Sequence, residues 1–208
     1  MSKMDFLLID LLLAGIAIAA LPLIGTGVVM VLLTLIAVPY FRLPGKRHLL
    51  APFLIALAMA SIWAWIAGDM YRYRESLLLL GQVNLYPVLF WLFGLFVNMT
   101  LYDDLMRYLH RHPIWVHLAV FSLMFWAGLL FVEVMAYHVY GVRNLATLGY
   151  PGLPGCDCIH GPRWMQTSYL ASGPVYFIAI TLLGYHQNHP HWPPVRCRLF
   201  PGLNRRNL

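Results

Sequence analysis

An all-α, multi-pass membrane bundle is what this chain's composition and patterning predict. Of its 208 residues, 61% are hydrophobic and only 11% are charged, and the apolar residues gather into long runs. Soluble globular domains carry about one-quarter charged residues, which argues against a soluble fold. A hydrocarbon core is crossed by about 20 apolar residues rising ~1.5 Å each. The runs here lack the alternation of barrel strands, and helices satisfy their own backbone groups in lipid. A single membrane domain over residues 1–208 is expected.

The first apolar stretch, Phe6 to Phe41, is too long for one crossing. Pro22, Gly25, Thr26 and Gly27 interrupt it with residues that end helices and make tight turns. A hairpin with arms over 6–22 and 27–41 follows, a tilted single helix with an interfacial extension being the alternative. Further spans are expected over 48–68, 77–98, 114–137 and 167–185, making six. An ordered outer loop, 138–166, and a cytoplasmic tail, 186–208, complete the chain.

Basic residues set the orientation. With the N-terminus inside, the inner loops and ends collect Lys3, Arg42, Lys46, Arg47, Arg107, Arg111, Arg196, Arg198, Arg205 and Arg206. The outer side holds Arg72, Arg74, Arg143 and Arg163. Both termini are therefore expected in the cytoplasm, with the protein in a plasma or inner membrane. A signal peptide cleaved after the small residues Ala17–Ala20 competes with this reading. The sequon Asn98–Met99–Thr100 falls on the inner side and is expected to stay unmodified.

The net charge of +6 does not call for nucleic acid, because the basic residues are spread through short loops. Membrane lipids, anionic head groups among them, are the expected partners. Other membrane proteins are a second class of partner.

Polar side chains inside a bilayer are costly unless paired or hydrated, so their distribution is informative. Asp69, Gln82, Asn84, Glu133, Ser168 and Ser172 all fall in the outer part of their spans, whereas the inner halves read as apolar. Glu133 and Tyr137 are four apart on one helix face, with His138 next. A carboxylate beside an imidazole suits proton transfer, which makes Glu133, His138 and Asp69 catalytic candidates. Gln82, Asn84, Ser168, Ser172 and Trp164 are substrate-binding candidates. The plainer alternative has Glu133 bonding Gln82, Asn84 or an outer arginine simply to hold helices together.

Four glycines and three prolines lie between Gly149 and Pro162 in the outer loop. Ordered loops of that length are often lids, and Trp164 and Tyr169 suit an interfacial anchor. Cys156, Asp157, Cys158 and His160 could ligate a metal through Cys156, Cys158 and His160, although zinc sites space their cysteines more widely. A disulfide or unpaired structural thiols are the other fates.

His48, His110, His112, His117, His186, His189 and His191 fall on the inner side, where imidazoles can ligate metal or haem iron or serve as ordinary interfacial residues. No phosphate loop, nucleophile elbow or zincin helix occurs, and the residues name no cofactor. Three functions fit. The first is a membrane enzyme acting on a lipid or isoprenoid-like substrate in an outward-facing polar pocket. The second is a non-catalytic subunit of a larger complex, holding a pigment, haem or quinone. The third is a small-molecule transporter.

Overall fold

The structure is a computed structural model that describes residues 3–43, 45–73, 79–80, 83–109 and 112–183. Its helices are α1 (Lys3–Ile24), α2 (Thr26–Tyr40), α3 (Leu50–Ala67), α4 (Tyr86–Leu109), α5 (Ile114–Val134) and α6 (Arg163–Leu182). Four segments are long and apolar enough to cross a membrane: Leu7–Ile24, Arg47–Met70, Tyr86–Met106 and Ile114–Val139. The apolar α2 is shorter.

The break in the first apolar stretch falls at Gly25, whose φ of +84° suits a residue without a Cβ. From there α1 and α2 run back along each other. Asp10 and Tyr40 each lie 15 positions from Gly25, about 22 Å along either helix. They meet where the arms close: Tyr40 Oη donates to Asp10 Oδ2 at 2.8 Å.

Helix α4 is the hub, packing against α1, α2, α3 and α5, while α6 closes the bundle on α3 and α5. Within the protein 61% of the Tyr86–Met106 window is buried, against 6% of Leu7–Ile24, so α1 offers its apolar side chains outward. Between α4, α5 and α6 the core is aromatic, with Tyr102 edge-on to Phe121 and Phe177 at 5.2 and 5.9 Å. Tyr176 Oη reaches the Pro52 carbonyl at 2.9 Å and ties α6 to α3. Gly173 lets α6 approach α5 so closely that a Cβ there would overlap the Phe125 ring. Gly173→Ala is expected to cost about 1–3 kcal/mol by overpacking, read as a lowered unfolding midpoint of the detergent-solubilised protein.

The fourth helix corrects the expected span over 77–98. Leu79–Leu80 and Val83–Asn84 pair as a small antiparallel ribbon, and α4 begins only at Tyr86. Pro87 suits the first turn of a helix, where no amide hydrogen is required, and Asn84 Oδ1 accepts from the Tyr86 amide at 2.9 Å. At its other end α4 runs on through Asn98, Thr100, Asp103 and Asp104 to Leu109. Asn98 and Thr100 of the sequon are buried within this helix.

A buried charge lock lets the carboxylates belong to a packed helix. Lys46 Nζ lies 3.1 Å from Asp10 Oδ2 and 3.1 Å from Asp104 Oδ2, and all three side chains are at most 5% exposed. Beside them His48 Nε2 meets Asp103 Oδ2 at 3.0 Å. The lock joins α1, the segment before α3 and α4. This end of the bundle therefore holds buried charge.

Candidate functional site

The site lies at the opposite end of the bundle from the lock, near the far ends of α3 and α5 and the start of α4. Its foundation is a hydrogen-bond hub at Tyr71. Trp63 Nε1 and Trp91 Nε1 donate to the Tyr71 hydroxyl oxygen at 2.6 and 3.0 Å. An indole can only donate, so these bonds occupy both lone pairs of that oxygen. The Tyr71 proton therefore goes to Tyr169 Oη, 2.8 Å away. Tyr169 keeps its own proton for another acceptor. Burial pushes the Tyr71 phenol up to about 12, with Glu133 adding to the rise, and burial holds Tyr73 well above the ordinary tyrosine value. Both remain neutral at physiological pH.

Over this hub lies a cavity of about 60 Å³, bordered by Tyr73, Tyr86, Trp91, Glu133, Tyr137 and Tyr169 among others. Glu133 and Tyr137 enter it together, as their four-residue spacing implied. Among the described residues Glu133 forms no hydrogen bond or ion pair; of the helix-tying partners weighed above, Asn84 bonds the Tyr86 amide instead, and Gln82 and Arg74 lie outside the described residues. A groove of about 580 Å³ adjoins, formed by the α1–α2 turn and residues 140–148, and Tyr73 and Val142 border both spaces.

The 138–162 segment supplies the roof, with Val142, Asn144, Thr147, Ile159 and His160 at the cavity. Asn144 fastens it: its side-chain oxygen accepts from the Arg72 amide at 3.0 Å and its nitrogen donates to the Met70 carbonyl at 2.6 Å. At the other edge Gln166 Nε2 donates to the carbonyls of Pro151 and Ile159 at 2.8 and 3.1 Å. Asp157 and Ile159 hold left-handed backbone, with φ of 45° and 53°. Gly152 packs so tightly there that a Cβ would sit 2.8 Å from Asp157.

Other expected residues fall elsewhere. A π-helical turn, Met135–Val139, ends α5 and carries His138. His138 Nε2 instead bonds the Cys156 carbonyl at 2.9 Å, so the expected Glu133–His138 pair is not assembled. Asp69 is exposed in the turn after α3 and does not border the cavity. Asn84 caps α4. Ser168 and Ser172 bond carbonyls of their own helix, those of Trp164 and Tyr169. Trp164 packs on Trp63 at 5.9 Å, and Gln82 lies outside the described residues.

Nor does the metal set come together. Cys156 and Cys158 are joined as a disulfide. Both nitrogens of His160 face carbonyls, Nδ1 that of Tyr150 at 2.8 Å and Nε2 that of Asp157 at 3.1 Å. Among the described residues no group of three His, Cys, Asp or Glu could hold a metal. His117 is buried and shares a 2.6 Å hydrogen bond at Nδ1 with the Tyr102 hydroxyl, while His110, His186, His189 and His191 lie outside the described residues.

No protein-family model, curated protein or solved structure matches this chain. The geometry therefore carries the functional argument. A carboxylate without a partner among the described residues, set in a ring of neutral aromatic side chains and roofed by a tethered loop, can exchange a proton with a guest or neutralise its positive charge. The aromatic ring escaped notice in the sequence because its members come from separate segments of the chain.

Proposed function

We propose that the protein crosses its membrane six times, with both ends in the cytoplasm. We infer further that the cavity around Glu133 opens outward and is the active site of an enzyme acting on a lipid or isoprenoid-like substrate. The observation that carries this reading is Glu133 itself, a carboxylate without a hydrogen-bond or ion-pair partner among the described residues, at the edge of a cavity. Such a group is costly to maintain in a membrane protein and marks a functional position.

In this reading the groove receives the apolar part of the substrate, since Leu21, Pro22, Leu145 and Leu148 border it and its volume of about 580 Å³ is that of a small-molecule site. The polar end reaches Glu133, which gives or takes a proton. The tethered roof limits water, and the Tyr71 hub holds Trp91 and Tyr169 in place around the reacting end.

Glu133→Gln preserves size and removes the acid/base group. Lipid extracts from membranes bearing wild-type or variant protein, compared by mass spectrometry, are expected to differ in one lipid class. Turnover of that lipid by the purified variant should fall by about a hundredfold or more, at an unchanged unfolding midpoint. Equal turnover by the two proteins would remove Glu133 from the mechanism.

A further inference from the structure

We propose that the group received beside Glu133 is a primary ammonium at the end of an apolar chain, so that the ligand is an amphiphilic amine. This deepens the reading of the cavity as a substrate site and rests on it.

Among the described residues no side chain at the cavity border offers Glu133 a matching charge. Neither lysine nor arginine borders it among the described residues. His160 does border it, but both ring nitrogens face backbone carbonyls, those of Tyr150 and Asp157, and Nε2 lies 3.6 Å from Asp157 Oδ1, so any charge on the ring is met by Asp157 rather than by Glu133. A carboxylate removed from water is stabilised by a cation, and here the guest is the source of one. A neutral alcohol brings no such charge, so the carboxyl would take up a proton instead and form no ion pair, and an anion would gain nothing from either form.

The rings favour the same guest. Tyrosine and tryptophan faces attract cations, most strongly where water is excluded. Tyr137 already has the Arg143 guanidinium over its ring at 4.8 Å on the groove side, so this end of the molecule pairs cations with aromatic faces. Hydrogen bonding then selects among cations. A primary ammonium brings three N–H donors to the Glu133 carboxylate, whereas a trimethylammonium brings none. The adjoining groove takes the chain.

The test is native mass spectrometry of the purified full-length protein with dodecylamine, dodecanol or dodecyltrimethylammonium. Wild-type protein is expected to retain one dodecylamine, and to retain the other two at least about tenfold less well. Glu133→Gln should lose about tenfold or more in amine retention. Equal retention of dodecanol and dodecylamine by the wild type would overturn the proposal even if the variant failed to fold, as would undiminished amine binding by a folded Glu133→Gln protein. Glu133-dependent amine binding without turnover would sustain this inference while removing the enzyme reading. Glu133-dependent turnover of a lipid without preference for amines would do the reverse.

Discussion

Lys46→Ala is expected to destabilise the protein by about 3–5 kcal/mol, because it strands two buried carboxylates rather than deleting a surface pair. Asp10 and Asp104 are 6% and 4% exposed, and each lies 3.1 Å from the ammonium. An exposed ion pair would cost less than about 1 kcal/mol to break. The unfolding midpoint in detergent should fall by on the order of 10 °C. Removing the charges together, as Lys46→Met with Asp10→Asn and Asp104→Asn, should recover most of that loss, since no ion is then left buried alone. A Lys46→Ala protein as stable as wild type would show that the lock contributes nothing to holding the α1–α2 hairpin on α4.

Tyr71→Phe is expected to have the next largest effect. The substitution removes a single oxygen, yet three hydrogen bonds converge on it, from Trp63, from Trp91 and to Tyr169. Each stranded buried donor costs about 1–3 kcal/mol, so a total of about 2–5 kcal/mol follows. The loss should also loosen Trp91 and Tyr169 at the cavity, giving a red-shifted tryptophan emission as water reaches the indoles. An unshifted spectrum with an unchanged unfolding midpoint would mean that the hub does not organise the site.

Local patterns in the sequence reveal some of this arrangement. Proline and glycines between Pro22 and Gly27 mark the hairpin turn, and the four-residue spacing of Glu133 and Tyr137 places both at one cavity. The glycines and prolines of 149–162 likewise announce an ordered roof. Long-range pairing is what local patterns miss. Hydropathy favours Leu77–Leu80 as the start of a span and stops before Asp103, because the neutralising partners of Asp103 and Asp104 lie 55 and 58 residues away. His138 is misjudged for the same reason: its imidazole is taken up by the Cys156 carbonyl, 18 residues away. Tyr71, Tyr73 and Tyr86 resemble ordinary interfacial tyrosines until the fold gathers them around a carboxylate.

Labelling a cysteine at position 133 tests the outward-facing site most directly. In a Glu133→Cys protein with Cys197 replaced by serine and the Cys156–Cys158 disulfide kept, a small membrane-impermeant thiol reagent is added to one side of sealed vesicles at a time. Modification of position 133 from the outer side alone is the expected result. Modification from the cytoplasmic side alone would contradict the outward-opening pocket, and absence of modification from either side would contradict an accessible site at Glu133.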